Sequence, residues 1–564
     1  MDIDLAPNYE SPGAVGNLMT WIATVHDSAP GTIWYRFRSR APSGEFQMVR
    51  DFGPNSVIDF AAIDHEGVYE MEVTARNLAT GESTSAVGAF EFLSRILSGP
   101  TVNATAHPLV FLLSTPACAE GAVMSVEFRT GTEPTVVTPA KPCDGALTMN
   151  FLLAGLRSET AYVANTVLVS GVGTGPRRGP ALPFQTEAVP DMHPAPSVVI
   201  GKTIPTTNTT LLNSDGVATD LAGHQTWFNP NALNNITRTE TGGYFWGYVQ
   251  DPGADPAYQL LRKVDLLGQT VRETNAARVS EQLAALGKRQ ITAFHHEVRP
   301  IGGGRVAALA STEQIVRDVQ GPGEVNVLGD MIIVFDQDLN VIWTWDAFDW
   351  LDVSRQAILD EKCTPTTGGC PPFNETSTAN DWTHSNSLQL TADGHLLLSV
   401  RHQDWLVKID FADGLGDGHI LWRLGKQGDF RLDSTDPNSW FSHQHDGNFE
   451  LTDPTRLMVF DNGNTRLAEI GSGNSRGQVW KLDETAFTAK PVVNADLGVY
   501  AFAVGSAQLL PNGNYHFLAG YVLDGPDRSA HSLEINRAGA AVYSLQADRL
   551  IYRTFRLPDL YSAE

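Results

Sequence analysis

Between Asn380 and Asn462 the chain twice spells out strand, tight turn, strand, with a polar residue at matching places. The first copy runs Ser387-Leu388-Gln389-Leu390, Ala392-Asp393-Gly394, His395-Leu396-Leu397-Leu398-Ser399. His384 lies ten residues before Gly394 and Arg401 seven after it. His445 lies ten before Thr455 and Asn462 seven after it. A hairpin that keeps a charge-capable residue in place from copy to copy predicts a repeat architecture with one shared site.

The repeat extends from about residue 197 as a loose unit of roughly 45–60 residues, the period of propeller blades. Turns recur at Gly302-Gly303-Gly304, Asp393-Gly394, Asp453-Pro454 and Asn512-Gly513-Asn514, and strand phrases end in Ile342-Trp343, Leu421-Trp422 and Val479-Trp480. Blades drawn from these marks begin near 200, 240, 295, 384, 445 and 505. Before them, alternation in Ile33 to Arg38 and Tyr69 to Ala75 reads as a small β-sandwich over residues 1–97. Gly155 to Val169 resembles the late strands of a fibronectin type III module, placing a second sandwich at 98–190. The expected fold is therefore all-β: a six-bladed β-propeller (191–564) preceded by two small β-sandwich domains. The proline-rich linker Val189 to Pro196 predicts that the propeller folds without them.

Composition narrows the function. A net charge of −25 leaves no basic stripe to neutralise phosphates, which argues against nucleic acid. No apolar run is long enough to span a membrane. No signal peptide is visible after Met1, and Met1-Asp2-Ile3-Asp4 reads as a start placed on a mature chain, with a genuine cytosolic start as the alternative. The four cysteines form two close pairs, Cys118/Cys143 and Cys363/Cys370. An even, paired count in a β-rich chain favours disulfides and a periplasmic or secreted protein. Neither pair has CxxC spacing, which disfavours zinc.

Strand parity locates a candidate site, because side chains alternate faces. Counted from each turn, His296, His384, Asn386, Arg401, His445 and Asn462 share one face, while His295 points the other way. A lone histidine at a strand start is ordinarily a satisfied polar group; six polar residues in a common register are harder to dismiss. Metal binding, anion binding and histidine nucleophilic catalysis all fit such a set. Arg401 and the absence of in-register carboxylates weaken the metal reading. Arginine with several imidazoles suits a tetrahedral oxyanion such as sulfate or phosphate.

Four motifs, in order, resemble the bacterial arylsulfate sulfotransferases that work without phosphoadenylyl sulfate: Phe294-His295-His296-Glu297, Asp381-Trp382-Thr383-His384-Ser385-Asn386, Ser399-Val400-Arg401, and Gln444-His445 with Phe460-Asp461-Asn462-Gly463. The resemblance spans about 200–555. It implies ping-pong transfer of a sulfuryl group from an aryl sulfate to a phenolic acceptor through a sulfohistidine. His445 would be the nucleophile. His384, His296 and Arg401 would share the catalytic work, with Asn386, Asn462, His295 and Trp382 touching substrate. No metal or cofactor is implied, and a homodimer is allowed. Two sandwiches in place of one small domain, and a Cys363/Cys370 loop ahead of the His384 motif, depart from the family. No GxxxxGK[ST] occurs, so a nucleotide donor is not indicated. Tyr244, Trp246, Trp382 and Tyr521 suit either aryl stacking or inter-blade packing. The competing readings are a propeller hydrolase (sulfatase or lactonase) and a non-catalytic secreted or surface binding protein.

Overall fold

The computed structural model describes residues 1–26, 29–170, 175–201, 206–231, 235–250, 255–364, 366–524 and 527–564. The architecture is all-β. Alternation builds the first strands: in Gly67–Asn77, Tyr69, Met71, Val73 and Ala75 are buried, while Glu72 pairs with Arg38 of the neighbouring strand. Asp2–Pro7, Met19–His26 and Val57–Phe60 form one sheet. Gly13–Ala14, Ser83–Leu93, Gly67–Asn77, Ile33–Arg40 and Gln47–Gly53 form part of another. Met19, Trp21, Phe37, Val73, Phe90 and Phe92 lie in the core of this part of the chain. The second sheet does not stop there: Arg50 bridges to Glu273, joining it to the strands Asn235–Glu240, Tyr244–Val249, Leu260–Val264 and Thr270–Asn275.

The next segment pairs Thr101–Ala104, Phe111–Thr115 and Met149–Leu153 in one sheet, and Ala122–Arg129 with Ala161–Ser170 in another. Cys118–Cys143 and Cys363–Cys370 are both disulfide-bonded, as their spacing predicts. Phe128, Phe151 and Leu156 share one core with Trp227, Phe245, Phe555 and Tyr561 from far along the chain. Tyr561 donates to the Leu152 carbonyl at 2.7 Å and accepts from the Ala154 amide at 2.9 Å. This shared core weighs against the expectation that the region after Pro196 folds alone: without residues 110–164, Trp227 and Phe555 lose part of their cover.

Further antiparallel sheets follow: Ala293–Pro300, Val306–Arg317, Glu324–Phe335, Val341–Asp346; then Ser385–Leu390, Leu396–Val400, Trp405–Ile409, Ile420–Gly425; then His445–Glu450, Asp453–Asp461, Arg476–Asp483, Thr488–Asp496. Tyr515–Asp524, Asp527–Ile535 and Ala541–Ala547 pair with Ser506–Leu509 on one side and Ser197–Ile200 on the other. The last strand, Thr554–Leu557, pairs with Thr210–Asn213. Side chains tie the leading strands together. Gln389 bonds both backbone groups of Phe449, the Asp446 carboxylate accepts from the Ala507 amide, Gln508 does the same for Arg556 as Gln389 for Phe449, and Arg553 donates to the Thr237 carbonyl.

The two hairpins that opened the sequence argument share a frame, but not the one counted from their turns. Leu388 pairs with Leu398 and Asn448 with Met458; Ser385 pairs with Val400 and His445 with Phe460. Both matches are offset by sixty residues, not sixty-one. The later turn closes at Leu451-Thr452, since Glu450 already pairs with Asp453. In register, His445 corresponds to Ser385 and Asn462 to His402.

Candidate active site

Bulges, not simple parity, aim the histidines. The pairing slips between His295 and Val298, between Ser385 and Ser387, and between His445 and Asn448. His296, His384, His443 and Asp446 all take φ near +50° (54°, 48°, 50° and 53°), a region that costs a non-glycine residue of order 1 kcal/mol. This local strain falls within or just before the strands Ala293–Pro300, Ser385–Leu390 and His445–Glu450, and rings from different sheets come together there. His296 packs against His384 with centroids 4.9 Å apart, His384 stacks on His402 at 4.5 Å, and Tyr552 approaches both His296 (5.5 Å) and His445 (6.3 Å).

His445 is buried, and its Nδ1 lies 2.7 Å from Asn462 Oδ1. The Asn462 amide nitrogen donates to the Ala501 and Val504 carbonyls at 2.9 and 3.0 Å. Its oxygen must therefore face His445 and accept from Nδ1–H, which leaves Nε2 with a free lone pair. Burial, with Arg401 adding, holds His445 well below the usual histidine range, so it is neutral at pH 7. His296 is likewise lowered, by burial first and then by His384 and His295. His384 Nδ1 rests on the Asp381 carboxylate at 2.7 Å.

Arg401 is buried, reaching the Phe502 carbonyl with Nη2 at 3.3 Å and His402 with Nη1. Its Nε has no protein partner. A guanidinium with a spare donor beside neutral imidazoles has the chemistry to hold an anion.

A family model described as Arylsulfotransferase (ASST) matches residues 199–551. The chain belongs to the ASST family. No curated protein matches it. The span that carries the ASST match contains every histidine of this cluster and stops one residue short of Tyr552.

Not every residue singled out in this ASST sequence reaches the cluster in the expected way. Asn386 is fully buried; its amide donates to the Gln444 carbonyl and accepts from the Asp446 amide, and its own carbonyl receives Tyr552 Oη and Arg553. It fastens two sheets through its side chain and its backbone carbonyl. Trp382 is 1% exposed, packs on Phe348, and donates its indole N–H to the Arg355 carbonyl, so it is core. His295 is buried, with Nε2 3.1 Å from Asp330 and Nδ1 2.8 Å from His296 Nδ1. It braces His296 instead of pointing away from it. Tyr244 and Trp246 sit against Lys263.

Sequence reading also missed several members of the cluster. His402 and His443 were in plain view beside Arg401 and His445, but parity gave them no role. Asp381, Asp404 and Glu361 supply the carboxylates that seemed absent. Glu361–His402–His443 and Asp381–His384–His402 each bring ligand atoms within 4.8 Å of one another. Arg401, however, donates into Nε2 of His402, the residue common to both groups. Tyr552 and Arg553 arrive only because the last strand pairs with Thr210–Asn213.

Proposed function

We propose that this chain moves a sulfuryl group from an aryl sulfate to a phenolic acceptor by a ping-pong cycle through a sulfohistidine at His445. The single observation that carries the reading is the fixed tautomer of His445: Asn462 takes Nδ1–H, and Nε2 is bare in a buried, neutral ring. The leading strands of the sheets after residue 197 are read as the inner strands of a six-bladed propeller, with the cluster at one end of its axis. Residues 1–97 and 98–190 are read as two accessory sandwiches, the second of fibronectin type III kind, whose cores support the propeller. The paired cysteines favour a periplasmic or secreted setting.

In the first half-reaction the Nε2 lone pair of His445 attacks sulfur. The N–S bond forms as the sulfur–aryl oxygen bond breaks, and the leaving oxygen keeps that electron pair. A proton from His384, whose Nδ1 side is held by Asp381, neutralises the phenolate. Charge in the loose transition state sits on the equatorial oxygens, which Arg401 and His296 face. In the second half-reaction an acceptor phenol gives its proton to His384 as its oxygen attacks sulfur. The N–S bond breaks and His445 is restored.

Intact-protein mass spectrometry tests this. Mixed with p-nitrophenyl sulfate and no acceptor, the chain should gain one sulfuryl group on the His445 peptide, and His445→Ala should gain none. An adduct on His384, or one that survives His445→Ala, would overturn the assignment. Turnover that does not need phenol would favour a hydrolase.

A further inference from the structure

His402 and His443 lie with ring centroids 5.6 Å apart, and their partners force opposite protonation states on them. At His402, Nδ1 meets the Asp381 carbonyl at 2.6 Å, and a carbonyl only accepts. Nε2 meets Arg401 Nη1, and a guanidinium only donates. His402 must therefore be neutral, with its proton on Nδ1. At His443, Nδ1 lies 2.9 Å from Asp404 and Nε2 contacts Glu361, both carboxylates, so both nitrogens donate and the ring is an imidazolium. The remaining neighbours of His402 fit. His384 stacks on its face, the Asp381 carboxylate is 3.7 Å from Nδ1, and Glu361 is 4.0 Å from Nε2. Burial, then His384 and Arg401, keeps His402 well below the usual range, while the two carboxylates outweigh burial at His443 and raise it.

We propose that His402 is the positioning residue of Arg401: its bare Nε2 aims the guanidinium at the sulfuryl group without neutralising it. A carboxylate in the same place would also hold the arginine, but it would cancel the charge that an anionic substrate needs. A neutral acceptor fixes direction and leaves the positive charge to be spent on the substrate. The adjacent Glu361 and Asp404 contact a cation of their own, His443, and act on Arg401 only through space. The inference rests on the sulfotransferase reading for its kinetic arm only.

The experiment compares His402→Gln, His402→Glu and His402→Ala, alone and combined with Arg401→Ala. Thermal unfolding is measured first, then kcat/KM with p-nitrophenyl sulfate and phenol, then inorganic sulfate affinity by calorimetry. Glutamine supplies a neutral acceptor and should stay within about 3-fold of the wild type. Glutamate and alanine should each lose roughly 10- to 100-fold in both kcat/KM and sulfate affinity. On the Arg401→Ala background glutamine and alanine should not matter further, because the partner is gone, while glutamate still repels the anion by its own charge. Glutamate performing as well as glutamine would overturn the proposal, as would an undiminished alanine loss on the Arg401→Ala background. If the wild type turned over no aryl sulfate yet bound sulfate in the same glutamine-over-glutamate order, the sulfotransferase reading would fall and this one would stand. Selective ¹⁵N-histidine labelling reads the claim without any variant. At pH 7 His402 should show one unprotonated nitrogen and His443 none; the reverse pattern overturns the assignment.

Discussion

Asn462 Oδ1 sits 2.7 Å from Nδ1 of His445 and cannot turn away, because its amide nitrogen is held by two backbone carbonyls. One side chain thus decides which nitrogen of the buried imidazole is free. Asn462 itself is fully buried, so its influence on a substrate passes through His445.

Replacing Asn462 with alanine should release the tautomer while leaving the histidine in place. The rate of sulfuryl labelling of His445 should fall by at least about 10-fold, and up to the roughly 10⁴-fold cost of a catalytic histidine losing its orienting partner. Rapid-quench mass spectrometry reads this rate directly. A wild-type rate in Asn462→Ala would show that the hydrogen bond does not set reactivity.

His295 and His296 should both matter, unlike the strict alternation expected from parity. Their Nδ1 atoms share one hydrogen bond, and Asp330 anchors the far side of His295. His296→Ala is expected to reduce transfer most, with His295→Ala and Asp330→Asn each losing about 10-fold through misorientation of His296. Transfer kinetics of the three variants decide it: full activity in His295→Ala would remove the brace from the argument.

Stability should decline below pH 6.5. Burial lowers His107 to about 4 and His516 to about 3, and holds His296, His402 and His445 well below 6.5. Between the folded and unfolded values the unfolded chain binds more protons, so their contribution is full above 6.5 and is lost as pH falls toward the folded values. His443 has the opposite sign, because its folded value is raised. For His107, the displacement from 6.5 to about 4 corresponds to roughly 3 kcal/mol. Melting curves from pH 7 to 4.5 should show His107→Gln losing less stability than the wild type; parallel curves would contradict the assignment.

A chain beginning near Pro196 should not fold cooperatively. It would lose Phe128, Phe151 and Leu156 from the core that contains Trp227 and Phe555, and the Ala154–Tyr561–Leu152 hydrogen bonds. Within the full chain, Trp227→Ala should cost about 3–5 kcal/mol, the range for deleting a buried aromatic. Denaturant unfolding with two probes measures both. A soluble truncation with a single sharp transition would show that the shared core is dispensable.

The sequence by itself determined what depends on near neighbours. Alternation and turn chemistry marked hairpins such as Ser385–Leu390 with Leu396–Val400, and close spacing paired the cysteines. It also picked out His384, His445, Arg401 and Asn462, because reactive side chains recurring in one frame are visible without a fold. Only the tertiary structure decided how those residues are used. The frame itself moved by one residue, because the second turn closes earlier than its Asp-Pro suggests. Bulges and positive φ at His296 and His384 overrode the two-residue period on which parity depends. Tyr552 and Arg553 entered the cluster through strand pairing across more than three hundred residues. The protonation states of His445, His402 and His443 were set by a carboxamide, a carbonyl, a guanidinium and carboxylates. Some of these partners are distant in sequence and others adjacent, but each acts through where the fold places it. An imidazole's chemistry follows from burial and from which atoms face its two nitrogens, and neither is written in the order of the residues.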